Sequence, residues 1–136
     1  MTLETSTYGM RVRTRLTYED AVRVTREALR QQGFGVITEI DVRKTMQEKL
    51  GIDHAPYLIL GACNPALAHQ AIEAEREIGL LLPCNVIVYA EGEGAVVAAM
   101  DPVKALSAVV DNPALGDIAQ QVRGKLEAAL KAVPQG

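Results

Sequence analysis

Aromatic side chains are scarce in this sequence. Its 136 residues include four tyrosines, one phenylalanine and no tryptophan. Proteins that bind single-stranded nucleic acid commonly stack the bases on aromatic rings, and this chain offers few such platforms. Hydrophobic residues nevertheless make up 49% of the chain, so the core must be built from Val, Leu, Ile and Ala. A chain of this length is expected to form one domain, residues 1–136, that needs no disulfide framework.

Excess positive charge and long apolar runs are also missing. The formal net charge is -3, whereas a nucleic-acid-binding domain normally carries a clustered basic surface, so we do not expect nucleic acid as a partner. No stretch approaches the roughly 20 apolar residues that span a bilayer, and the first residues, MTLETSTYGMR, do not read as a signal peptide. We therefore expect a cytoplasmic protein without membrane contact, whose two cysteines are reduced.

Apolar periodicity predicts strands and helices that alternate along most of the chain. Two-residue alternation indicates strands, and spacing of three to four residues indicates helices. The predicted order is strand, helix, strand, short helix, strand, helix, two strands and two helices. The predicted strands cover residues 8–16, 34–40, 57–62, 84–91 and 95–101. No linker or internal repeat divides the chain, which supports a single domain.

Two Cys-Asn pairs stand at the boundaries of predicted elements. Asn64 is a good N-cap and Pro65 suits the first helical position, so a helix is predicted to begin directly after Cys63. A thiol there lies at the positive end of the helix dipole, which favours the thiolate. Cys84 follows Pro83 and opens the next strand. A hairpin-like return of the chain would bring the two sulfurs close together.

Packing is the alternative explanation for both thiols. The residue before an N-cap commonly packs against the residue four positions into the helix, which for Cys63 is Ala68. Free cysteine is also among the most buried residue types. His69, in the second turn, is spaced to contact Glu73 but would also reach back toward Cys63. Both a reactive site and a packed boundary therefore stay open.

Charged residues follow the first two predicted strands. Arg11, Arg13 and Arg15 share one face of the first strand, and Glu39 and Asp41 share one face of the second. We interpret the acidic pair as the charge complement of the arginines across the sheet, or both sets as solvated. Binding of an anion or a metal ion is the alternative. The same alternation predicts that one face of the second strand contains Phe34, Val36, Thr38 and Ile40.

Three segments and a dipeptide together resemble domain-of-unknown-function family 302 (DUF302). The segments are GFGVITEIDV, LGACNPALAHQA and IGLLLPCNVIVY, and Asp101-Pro102 follows them. The resemblance implies an α+β fold of the TATA-binding-protein-like type, with a single antiparallel sheet and helices packed mainly on one face, and a homodimer. It implies no activity. The positions that match the family motif are Glu39, Asp41, Cys63, Asn64, Pro65, His69, Pro83, Cys84 and Asn85.

Three kinds of function stay open. The first is a small binding protein whose site lies around Cys63, His69 and Cys84 and takes a soft metal ion or a small ligand. Soft metals favour thiolates, although the spacing matches no zinc-finger pattern. Further candidates for ligand contact are Asn64, Asn85 and Glu39. The second is a thiol enzyme with Cys63 as nucleophile and Cys84 as resolving partner. The third is a structural or interaction module without chemistry.

A homodimer is also expected from the strand patterns themselves. Val86 and Val88 fall on one face of a predicted strand, and Ile87 and Tyr89 fall on the other. Helices that cover one face of a single sheet leave its second face open. Soluble monomers rarely expose a contiguous apolar patch above a few hundred Å², so a second copy is the simplest cover.

Overall fold

The computed structural model describes residues 2–136, apart from the side chains of residues 108 and 109. The strands are β1 Glu4–Thr5, β2 Gly9–Thr14, β3 Gly35–Asp41, β4 Tyr57–Cys63, β5 Cys84–Glu91 and β6 Gly94–Met100. The α-helices are α1 Tyr18–Gln31, α2 Val42–Leu50, α3 Pro65–Ala74, α4 Pro102–Val109 and α5 Ala114–Lys131. A 3₁₀ helix, Arg76–Leu81, lies between α3 and β5.

Side-chain caps determine where four of the helices begin. Thr17, Asp41, Asn64 and Asp101 each accept a hydrogen bond from a first-turn amide of α1, α2, α3 and α4, respectively. These bonds satisfy amide groups that have no partner within the helix. The predicted start of a helix directly after Cys63 is confirmed, because Asn64 is the cap and Pro65 is the first helical residue.

The six strands form one antiparallel sheet in the order β1-β2-β6-β5-β4-β3. In its centre, Val88 pairs with Leu58 and Val97, and Val97 pairs with Val12. These cross-strand partners share one face and are all buried. Helices α1 and α5 cover that face through a cluster that includes Leu29, Leu126 and Leu130. The predicted α+β class with a single antiparallel sheet is confirmed.

Helix α5 joins two separate hydrophobic clusters. Its C-terminal half, with Leu126 and Leu130, belongs to the core under the sheet. Its N-terminal half, with Leu115 and Ile118, packs in a second cluster with buried residues of α3, α4 and the 3₁₀ helix. An 18-residue helix is about 27 Å long, which is enough to reach from one cluster to the other.

A β-bulge in β3 makes the predicted alternation of that strand wrong. Val36 pairs with Ala62, whereas Thr38 pairs with Gly61, so Ile37 is the extra residue. An inserted residue reverses the faces of all residues on one side of it. Val36 and Thr38 therefore lie on opposite faces instead of the same face. Ile37 itself is 61% exposed.

The interpretation that the arginine row faces Glu39 and Asp41 across the sheet is also wrong. Strand β3 is one edge of the sheet, and three strands separate it from β2. Arg13 instead forms ion pairs with Glu4 and Glu91. The Oε2 atom of Glu39 lies 2.6 Å from Nη2 of Arg26 in α1, and Asp41 caps α2. The alternation of residues along a strand indicates which face of the sheet each side chain lies on, but it does not indicate the order of the strands in the sheet.

The second face of the sheet, which we call the open face, has a mixed composition. Ile59, Ile87 and Tyr89 lie there and are half-buried, together with Arg11 and the wholly buried Val96. The homodimer expected from this face stays a prediction. Among residues 2–136, no helix combines the length and the hydropathy that a bilayer span requires.

Candidate functional site

A cavity of about 270 Å³ lies where β4 ends and β5 begins, between this end of the sheet and helices α3, α4 and α5. Aliphatic side chains supply most of its lining, among them Leu67, Leu106 and Ile118. Small residues, including Ala71 and Ala119, leave the space open. Among the described residues, no charged side chain lines this cavity.

Both cysteines line the cavity. Cys63 is the last residue of β4 and Cys84 is the first residue of β5. Ala62 and Cys84 are cross-strand partners, so Cys63 directly follows the residue that pairs with Cys84. Both thiols are free. The two free thiols therefore border the same cavity from neighbouring strands.

Burial, with a smaller contribution from the nearby Cys63, raises the pKa of the Cys84 thiol to about 11. The low polarity around this group disfavours the charged thiolate. Cys84 therefore stays protonated at neutral pH, and a protonated thiol is a poor nucleophile. This environment does not favour Cys84 as the resolving partner of a thiol enzyme, which stays a prediction.

Asn64 is the one side chain of the cavity lining, among the described residues, that carries strong hydrogen-bonding groups. Its Oδ1 atom accepts a hydrogen bond from the amide of Leu67, at 3.2 Å, and so caps α3. The cap fixes the amide group at the sheet end of the cavity. Its Nδ2 atom lies on the Gly33 side, where a Cβ on Gly33 would approach it to 3.2 Å.

Gly61 is a residue of this region that the sequence analysis did not single out. A Cβ at this position would collide with Oγ1 of Thr38 and lie 2.7 Å from Cγ of Pro83. The missing side chain therefore allows Pro83 to pack on β4 next to Cys63, in the wall of the cavity. Glycine inside an apolar strand is the available sequence signal, because it often marks a close approach of another part of the chain.

The other predicted site residues lie outside the cavity lining. His69 is exposed, and its Nε2 atom is 3.6 Å from Oε1 of Glu73. Glu39 is exposed and bonded to Arg26, and Asn85 lies on the open face. In the described part of the chain, no three His, Cys, Asp or Glu residues are grouped so that they could hold a metal ion. This arrangement gives the predicted metal site of Cys63, Cys84 and His69 no support.

A buried ion pair fixes one wall of the cavity. Asp101 is wholly buried, and its Oδ1 atom caps α4 by accepting from the amides of Val103 and Lys104. Its Oδ2 atom accepts a hydrogen bond of 3.0 Å from Nε of Arg123 in α5. One carboxylate thus connects the start of α4 with α5. Leu106 of α4 and Val122 of α5 both line the cavity beside this connection.

Fold and cavity together define a small α+β domain with one antiparallel sheet, helices on one face, and an uncharged cavity at the sheet end. The chain belongs to the family described as "Domain of unknown function DUF302", whose model matches residues 10–133. The predicted family membership is confirmed. A crystal structure of an uncharacterized conserved DUF302 protein from Bacillus stearothermophilus is 29% identical, with a TM-score of 0.86. The similarity covers 95% of this chain and 100% of that chain. No curated protein matches the chain.

Proposed function

We propose that the protein binds a small, uncharged and largely apolar molecule in the cavity between the sheet end and helices α3 to α5. The observation that carries this proposal is a volume of about 270 Å³ with aliphatic walls and no charged side chain in the described lining. Apolar cavities of about 150 Å³ stay dry and take up benzene. By the same ratio of volume to atoms, this cavity accommodates roughly ten non-hydrogen atoms.

The chemistry of the lining selects against ions. A charged ligand would lose its hydration and gain no opposite charge in return, which is costly in an apolar environment. The two thiols offer polarisable contacts and weak hydrogen bonds. Asn64 supplies a single strong polar contact, and ligand sites commonly combine an apolar lining with a few such groups. A neutral molecule with one hydrogen-bonding group therefore fits the cavity best.

Toluene and 1-octanol are suitable probes of the cavity. We expect both to bind and to raise the melting temperature, because a ligand that binds the folded state stabilises it. Ala71→Leu should abolish binding, since Ala71 is a buried residue of the lining and the added methyl groups occupy the space. Ala66→Leu is the matched control, because Ala66 lies in the same helix but is exposed and outside the lining.

Two results would contradict this proposal. One is the absence of binding of either probe to the wild-type protein in calorimetric titration and ligand-detected NMR. The other is unchanged binding to a folded Ala71→Leu variant. Alkylation of Cys63 by iodoacetamide gives an independent readout, because an occupied cavity should shield this half-buried thiol.

We also propose a homodimer through the β3–β4 end of the open face. Ile40 and Ile59 are cross-strand partners there, and Ile40 is 49% exposed. Light scattering should then give about twice the chain mass of 14.6 kDa. Ile40→Asp should yield monomers, because it places a charge in the apolar interface. Leu80→Asp, at an exposed leucine of the 3₁₀ helix, should leave the dimer intact. A monomeric wild-type protein would refute this part.

A further inference from the structure

A second concave site lies on the open face, across β2, β6 and β5. This groove has a volume of about 540 Å³. Its floor is formed at Gly9 and Ala98, whose small size leaves a depression among larger neighbours. On one side are Tyr57 and Tyr89, whose rings are stacked with centroids 5.6 Å apart and an angle of 11° between their planes. Together these residues form a depression with an aromatic wall.

Arg11 lines this groove with a guanidinium that has no carboxylate within ion-pair distance among the described residues. Arg11 is the cross-strand partner of Ala98 on one side and of Glu4 on the other. The carboxylate of Glu4, however, bonds to Nε of Arg13 at 2.9 Å, and Arg13 also pairs with Glu91. Glu4 and Glu91 are thus paired with Arg13, and the guanidinium of Arg11 is left to pair with an anionic group of a ligand.

A second cation lies close to the same groove. The Nζ atom of Lys104 donates a hydrogen bond of 2.9 Å to the carbonyl of Ser6, and Ser6 belongs to the groove lining. No acidic residue is part of the lining among the described residues. Asn85 adds an amide group that offers both donors and an acceptor. The groove therefore combines an aromatic and aliphatic surface with local positive charge, which the cavity at the sheet end does not have.

We propose that this groove is a second binding site and that it takes a flat, apolar molecule carrying one carboxylate. The flat body lies over Ala98 beside the Tyr57–Tyr89 stack, since aromatic rings pack well in offset or edge-to-face contact. The carboxylate pairs with Arg11, whose planar guanidinium matches it in bidentate geometry. The site is independent of the cavity, because the two share no lining residue.

The fluorescent probe 2-naphthoate tests the charge requirement against its neutral analogue 2-naphthylmethanol. We expect naphthoate to bind at least about tenfold more tightly, as for a charge-assisted hydrogen bond. Arg11→Gln should remove this difference. Arg15→Gln is the matched control and should not, because Arg15 is an exposed arginine of the adjoining segment that lies outside the groove. Ala98→Leu should weaken both probes by filling the floor, while Ala71→Leu in the cavity should leave naphthoate binding unchanged.

Three results would overturn this proposal. Equal affinity for both probes would remove the role of charge. If Arg15→Gln lowers the affinity for naphthoate as much as Arg11→Gln does, the general positive charge of this segment matters and no specific ion pair forms. A dimer that dissociates in Arg11→Gln or Ala98→Leu, measured by light scattering without ligand, would show that a second copy of the chain occupies the groove.

Discussion

The two hydrophobic clusters of this protein differ in how completely they are packed. Under the sheet, Leu126, Val86 and Val97 leave no room even for a water molecule where α1 and α5 cross the strands. Around the N-terminal half of α5, the second cluster borders a cavity of about 270 Å³, which Phe34, Ala62 and Cys84 of the first cluster close at the sheet end. Close packing is the normal state of protein interiors, so the first cluster needs no explanation beyond stability. The contrast indicates that the second region is less closely packed and that a cavity takes the place of packed side chains there.

Truncation of one leucine in each region tests this difference most strongly. Leu126→Ala should lower the free energy of unfolding by about 4 kcal/mol, because Leu126 is wholly buried and its neighbours cannot close the gap. Leu106→Ala should cost about 2 kcal/mol, because this side chain already borders an open space and loses fewer contacts. Urea denaturation of both variants measures the two values. Equal losses would mean that the cavity wall is packed as tightly as the core.

Removal of the Asp101 carboxylate tests how the cavity wall is held. Asp101→Ala should lower the free energy of unfolding by about 3 kcal/mol, since it leaves Nε of Arg123 without its hydrogen-bond acceptor and two amides of α4 uncapped. Asp101→Asn retains a cap and should cost less. Asp117→Ala, at an exposed acid in the first turn of α5, is the control. A loss no larger than in that control would show that the ion pair does not anchor α4.

The thiol of Cys84, which lies where the two regions meet, should make the free energy of unfolding depend on pH. Its pKa in the folded protein is about 11, against an ordinary value of 9.0. The folded state therefore holds its proton more tightly, and the stability from Cys84 is present below pH 9 and lost as the pH rises toward 11. The loss is at most about 3 kcal/mol for two pKa units. Stability curves of wild type and Cys84→Ala, measured across this range, should converge. Parallel curves would show that the site is hydrated.

A hydroxyl in the well-packed region gives the smallest expected effect. Thr25 in α1 is buried, and its Oγ1 atom has no hydrogen-bond partner among the described residues. Thr25→Val should raise the free energy of unfolding by about 1 kcal/mol, since it replaces an unsatisfied polar group with a methyl group of similar size. Thr25→Ser retains the hydroxyl and should lower stability instead. A lower stability of the valine variant, measured by thermal unfolding, would indicate that the hydroxyl is satisfied.

Three of the six site residues predicted from the sequence line the cavity. Cys63, Asn64 and Cys84 attract attention because a cap and a proline fix the start of α3 between two strands, and all three line the cavity. Leu106 and Ile118 were not predicted to line a cavity. The sequence pattern of an aliphatic residue on the apolar side of a helix is the same whether that residue faces a packed core or an open space. His69 was predicted to lie near the site because of its position in the second turn of α3. In the structure it is exposed and contacts Glu73.

The sequence by itself determined the local structure of the chain. Strand and helix positions and the cap at Asn64 depend on residues within a few positions of one another. Strand order, the bulge at Ile37 and the space beside Ala71 were decided by the tertiary structure. The physical reason is that periodicity assigns each side chain a face, whereas the neighbour on that face comes from a distant part of the chain. The cavity and the groove depend on such neighbours, so they became apparent only in the folded protein.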